Sequence, residues 1–406
     1  MTTGMEAEDS MDTAVIAPTS ERTEIQKMPW LALVLFAAMG FILVAAETMP
    51  AGLLPVIATG INTSEAFVGQ FVSVWALGTV VVTVPAISMT RSMRRKPLIL
   101  IVIAGLIVGN TVTAISTDLV LSLVSRFVAG AFTGIIWGIL AAYGRRISPA
   151  RRGGLSLAIV SIGAPLGFAL GTPLGTSLGM ALGWRWSFVA LSILAIIGLV
   201  LIACFVPDAP GQPAAARLRL RKVFLMPGIA IVLAVIFTWM LAHNTIYTYV
   251  APFLRATGTR LGPDFILFVY GIASVAGVGI TAVFLDRHPR LLIHLSLLFF
   301  IAAAVVLFVG HASVPAVIAA AVLWGLTFGG GAAQLQSALT LAGGDHSDVA
   351  NSFLPVAFNL AIFAAGIVGA LLLQNFDALV LAVWMVAMGA VAFLLTIYGR
   401  RTAFTN

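Results

Sequence analysis

Charge is scarce in this 406-residue chain: only 9% of its residues are Asp, Glu, Lys or Arg, against about 25% in an ordinary soluble domain. A water-soluble body with a charged surface is therefore excluded. Lysine is rarer still, with only Lys27, Lys96 and Lys222, and none lies in a glycine-rich phosphate cradle of the Walker A kind. That removes nucleotide hydrolysis as a simple source of energy. Cys204 is the single cysteine and falls in an apolar stretch, which rules out an intrachain disulfide and any cysteine-based metal cluster. HExxH patterns, metal-binding histidine pairs and recognisable nucleophile and base pairs are missing too, so the expectation is no metal, no cofactor and no enzyme. The start of the chain is acidic (Glu6, Glu8, Asp9, Asp12, Glu21, Glu24) and lacks the basic, then apolar, run of a signal peptide. Residues 1–28 read as a disordered cytoplasmic tail.

What the chain has instead is hydrophobicity: 60% of its residues are apolar. A bilayer crossing takes about 20 such residues. Twelve stretches qualify, at roughly Trp30–Ala58, Ala66–Thr90, Pro97–Ile115, Leu119–Tyr143, Gly154–Met180, Trp184–Val206, Pro227–Leu254, Phe265–Leu285, Leu291–Gly310, Val314–Leu341, Val349–Asn375 and Ala378–Tyr398. The fold expected is therefore an all-α polytopic membrane protein. Its longest interior connection, residues 207–226, separates a six-helix bundle over 29–206 from a second over 227–401.

The net charge of +7 invites a nucleic-acid reading, but the basic residues sort by membrane side. With the amino terminus in the cytoplasm, 18 of the 22 lie inside, Arg185, Arg255 and Arg260 lie outside, and Arg126 lies in a span. This is the positive-inside pattern. It predicts a multi-pass protein of the inner (plasma) membrane with both termini cytoplasmic, in contact with lipid and not with nucleic acid.

The two halves repeat. Arg91-Ser92-Met93-Arg94 after span two corresponds to Arg287-His288-Pro289-Arg290 after span eight, and Gly130 and Gly134 in span four match Gly325 and Gly329 in span ten. Internal repeats of this kind place a substrate site near the midplane, between the halves. The same shift of 195 sets Arg126 opposite Ala321, so the arginine is not demanded by the shared fold.

Only Glu47, Arg126 and His243 bring an ionisable group deep into a span. At the bilayer centre a charge costs about 2.5–3.5 kcal/mol, so such residues are usually functional. Counted from their outer helix ends at about 1.5 Å per residue, they lie roughly 16, 12 and 16 Å deep and fit one layer. Glu47 is followed by Pro50 and Pro55, which remove backbone donors and allow a bend. Its carboxyl suits proton exchange, or else a structural hydrogen bond; Arg126 either sits in the same layer or snorkels to the outer headgroups. His243 opens His243-Asn244-Thr245-Ile246-Tyr247-Thr248-Tyr249, the most polar stretch inside any span, and shares a face with Tyr247. It serves substrate binding, a proton relay or a plain interhelical bond. Asn244 aligns with Glu47 through Pro252 and Pro55, and Trp75 and Asn359 lie at interior depth. His243, Asn244, Tyr247, Trp75 and Asn359 are the candidate substrate contacts.

Span five carries Gly163, Gly167, Gly171, Gly175 and Gly179 at four-residue spacing, with Gly183 beyond and Pro165 and Pro173 between. Such a face lets another backbone approach closely. It is either static packing or a surface on which the halves slide, and alanine should harm Gly167 and Gly171 more than Gly183.

Three segments resemble the major facilitator superfamily, in its twelve-span drug:proton antiporter branch of sugar-efflux and arabinose-efflux-like permeases. They are Glu47-Thr48-Met49-Pro50-Ala51-Gly52-Leu53-Leu54-Pro55, Arg126-Phe127-Val128-Ala129-Gly130, and Gly163-Ala164-Pro165-Leu166-Gly167 through Gly171-Thr172-Pro173-Leu174-Gly175. The resemblance implies two six-helix bundles related by a pseudo-twofold axis, and a proton-coupled monomer that expels a small drug-like or sugar-like solute by alternating access. It places proton transfer at Arg126. A nutrient symporter, or a receptor that transports nothing, are the alternatives. The loop after span two keeps Arg91, Arg94 and Arg95 but has Ala86, Thr90 and Met93 where that family has Gly, Asp and Gly. An acidic latch is not expected there, and Asp286-Arg287 after span eight is the expected substitute.

Overall fold

The structure is a computed structural model and describes residues 28–90, 92–211 and 223–404. The tail up to Lys27, the loop residue Arg91 and the connection residues Arg217, Arg219, Arg221 and Lys222 lie outside the described residues. Described residues fold into helices, and twelve of these are long and apolar enough to cross a membrane. In order they are Trp30–Gly60, Glu65–Thr83 (its helix continuing to Thr90), Arg95–Ile115, Leu119–Arg146, Gly153–Leu182, Trp184–Phe205, Gly228–Thr248, Pro263–Phe284, Pro289–Val309, Val314–His346, Val349–Asn375 and Val380–Arg401. An even number of crossings brings both ends of the described chain to one face.

Packing repeats with the sequence. Span two lies on span four as eight lies on ten, three on six as nine on twelve, and one on six as seven on twelve. Between the halves, two meets eleven as eight meets five, which is the pairing a pseudo-twofold axis produces. The register agrees residue by residue. A Cβ on Gly130 would overlap the Trp75 carbonyl, one on Gly325 the Tyr270 carbonyl, and one on Gly329 the Ser274 carbonyl. Trp75 and Tyr270 are separated by the same 195 positions as Gly130 and Gly325, so the offset read from glycines is also the offset of the helix contacts.

Proline shapes span one. Its α-helix ends at Thr48, passes through a 3-10 turn over Met49–Leu53 and resumes at Leu54–Gly60. Pro50 has no N–H to give to the carbonyl four residues back, leaving the Ala46 oxygen in need of another donor. The glycines of span five pack on this span: added methyls at Gly163, Gly167, Gly171, Gly175 and Gly179 would strike Ala37, Val44, Ala45, Met49 and Leu53. Both spans belong to one half, so the glycine row is not the surface on which the halves slide. Between the halves close approaches are made by Gly271 of span eight, against the Ala169 backbone on another face of span five, and by Gly366 of span eleven, against Ser73 of span two. Gly183 also departs from expectation. It has open space around it but a φ of 98°, so alanine there is strained by the backbone itself.

Candidate functional site

A cavity of about 470 Å³ lies between the halves. Its lining runs from Val44, Glu47, Thr48 and Ala51 of span one to Leu354 and Pro355, in the first turns of span eleven on the face that carries the termini. Toward the opposite face the halves are fastened together. Tyr249 Oη donates to the carbonyls of Gly366 (2.8 Å) and Ala66 (3.2 Å), and Gln70 Nε2 donates to the Gly366 carbonyl at 3.0 Å. Farther out, Arg255 pairs with Glu65 at 2.6 Å, and Ser177 Oγ donates to Asp264 at 3.1 Å. The cavity is thus closed on one side by named polar contacts and reaches toward the other.

Glu47 lines the cavity, and among the described residues its backbone carbonyl, not its carboxyl, is hydrogen-bonded. Arg126 is fully buried behind it. Its Nη2 donates to the Ala46 carbonyl at 2.8 Å, the one freed by Pro50, and more weakly to the Glu47 carbonyl at 3.4 Å. Nε reaches the Phe71 carbonyl at 3.5 Å, and the guanidinium lies 4.2 Å above the Trp75 ring. Arg126 therefore does not snorkel: span one presents it with carbonyls and span two with a π face. Trp75 is also fully buried and does not line the cavity, which corrects its assignment as a substrate contact. The arginine covers the face that a solute would need.

The remaining candidate contacts come together. His243, Asn244, Tyr247 and Asn359 all line the cavity. Asn244 Nδ2 donates to the Met240 carbonyl and Asn359 Nδ2 to the Pro355 carbonyl, each at 2.9 Å. Both are therefore left with Oδ1 as a free acceptor. The Tyr247 hydroxyl lies against the Thr48 and Thr172 hydroxyls without a well-formed hydrogen bond. Aromatic rings that sequence reading passed over complete the wall: Trp137, Phe168, Tyr270, Phe328 and Phe358. A signal for two of them was present, since Phe328 adjoins Gly329 and Tyr270 stands at the Trp75 position of the second half.

The loop after span two behaves differently from expectation. Arg94 pairs with Asp208 at 2.5 Å, just past span six, and Asp208 also accepts from the Lys96 N–H at 3.0 Å. Tyr143 Oη, Arg146 and the Arg95 N–H hold the carbonyls of Pro207, Pro210 and Ala209. An acidic latch thus exists, supplied by the start of the long connection. Desolvation acts to raise the Asp208 carboxyl, but the Lys96 and Ala209 N–H groups and the Arg94 guanidinium outweigh it and hold it below the usual range. Asp286 and Arg287 are exposed and form no ion pair among the described residues, so the substitute expected there is not made.

Twelve spans in two repeated sets, with a solute-sized cavity between them at the depth of the buried carboxyl, define a membrane transporter. The chain belongs to the Major Facilitator Superfamily, whose sequence model matches residues 36–347.

Proposed function

We propose that this protein is a proton-coupled antiporter that expels a small organic solute across the inner membrane by alternating access. The reading rests on one observation above all: Glu47 is the only carboxyl among the described residues lining the cavity, and the buried Arg126 guanidinium is held on the backbone carbonyls of Ala46 and Glu47 itself. A carboxyl that faces solute on one side and a fixed cation on the other can exchange a proton for a bound solute without any further charged partner. Glu47 is the proposed proton carrier and Arg126 the residue that tunes it. His243, Asn244, Tyr247 and Asn359 are the proposed solute contacts. With the termini placed in the cytoplasm by the basic-residue bias, the fastened face is the outer one and the cavity belongs to an inward-facing state.

Glu47→Gln tests this, because the amide keeps the shape and cannot carry the proton. In proteoliposomes with an imposed proton gradient, the variant should still exchange solute down its gradient but lose uphill transport. Full uphill transport by the variant with an unchanged pH profile would remove Glu47 as the coupling acid. The direction of flux in inside-out vesicles separates efflux from a nutrient symporter, and binding without any flux would identify a receptor.

A further inference from the structure

Trp324 is fully buried in span ten, and its Nε1–H donates to His243 Nδ1 at 3.0 Å. An indole nitrogen only donates, so Nδ1 must be the acceptor, and a neutral imidazole then carries its proton on Nε2. Among the described residues the ring makes no hydrogen bond besides the one from Trp324, and His243 lines the cavity. The ring is also fixed in direction. Phe328 lies parallel to it at 3.6 Å between centroids, Tyr270 stacks at 5.7 Å, and Tyr247 packs at 5.3 Å. Trp324 is itself wedged against Tyr270 at 4.6 Å.

The repeat explains how the second half makes room for this. At the offset of 195, Arg126 and Ala129 of span four correspond to Ala321 and Trp324 of span ten. One half has a large side chain and then a small one, the other a small one and then a large. Arg126 covers the Trp75 face in the first half, whereas in the second the small Ala321 leaves that room to the Trp324 indole, which packs on Tyr270 and reaches the histidine.

We propose that Trp324 is a positioning residue for solute selection: it fixes His243 as a hydrogen-bond donor through Nε2, so the cavity selects planar aromatic solutes that carry an acceptor atom. This rests on reading the cavity as the solute site. The class named is an aromatic heterocycle or aryl carbonyl, because the wall around the donor is made of rings and a polyhydroxylated solute would leave its hydroxyls facing them unpaired.

Two measurements on the full-length purified protein test this without any proton gradient, so they stand apart from the coupling role of Glu47. The first is ¹⁵N NMR of histidine-labelled protein, with the His243 signals assigned by their absence in His243→Gln. Wild type should show a single tautomer with the proton on Nε2, and Trp324→Phe, which keeps a ring and loses the N–H, should show a mixture. The second compares binding of quinoline and naphthalene, two rings of the same shape that differ by one acceptor nitrogen. Trp324→Phe should lower the quinoline-to-naphthalene affinity ratio in proportion to the Nε2–H tautomer lost, about twofold for an equal mixture. A proton on Nδ1 in wild type, failure of both probes to bind wild type, or an unchanged ratio in the variant would overturn the proposal. The wild-type spectrum decides the tautomer even if the variant does not fold.

Discussion

Arg126→Met removes a buried cation while keeping much of its volume, and combining it with Glu47→Gln measures how far the two residues act together. The guanidinium makes one short bond to the Ala46 carbonyl, two long ones, and a contact on Trp75 at 4.2 Å. A hydrogen bond to a charged group contributes about 1.5–3 kcal/mol and a desolvated cation–π contact about 2 kcal/mol. Removing one partner of a buried charged set costs about 3–5 kcal/mol, which is the loss expected for Arg126→Met. Part of that loss is expected because Glu47, whose backbone carbonyl lies 3.4 Å from the guanidinium, is left without a nearby cation. Once Glu47 is Gln, that part is gone. The double variant should therefore be less destabilised than the sum of the singles by about 1–2 kcal/mol, within the usual range for coupled neighbours. Arg126→Lys should fall between, since an ammonium cannot reproduce the flat contact on Trp75 together with the bond to Ala46. Denaturant unfolding in detergent of the four proteins gives the cycle. Additivity to within about 0.5 kcal/mol would refute the coupling of Glu47 to Arg126.

The remaining predictions concern packing, closure and pH. Gly163→Ala should lower thermal stability clearly and Gly154→Ala hardly at all, because the new methyl meets the Ala37 carbonyl in the first case and open space in the second; melting curves of the two decide. Tyr249→Phe combined with Glu65→Gln removes most of the polar fastening of the closed face. It should raise the labelling rate of a cysteine placed at Thr48, tested in a Cys204→Ser background, and unchanged labelling would show that apolar packing alone holds that face shut. Because Asp208 is held below its usual range, its contribution should be fully present at neutral pH and should fade as pH drops through the lowered value. The stability difference between wild type and Asp208→Asn should therefore shrink in acid, and a difference independent of pH would place the effect in the backbone contacts of residues 207–210.

Much of the architecture was legible because it depends on properties each residue carries alone. Apolar length sets the number of spans, and the absence of other charges makes Glu47, Arg126 and His243 stand out. The offset of 195 was visible in Gly130, Gly134, Gly325 and Gly329, and the same offset governs which carbonyls those glycines touch. Pro50 foretold the break in span one, and with it a carbonyl that needed a donor. Tertiary structure alone decided who meets whom. It turned the glycine row of span five onto span one, placed Trp75 beneath Arg126 and out of the cavity, brought Asp208 to Arg94, and put the Trp324 indole on His243. The physical reason is that a span surrounded by lipid and by other apolar helices is hydrophobic on every side, so its sequence carries little of the periodicity that marks the buried face of a helix in water. Which way each helix is turned follows from the fit of side chains between helices, and that fit exists only once all twelve are packed.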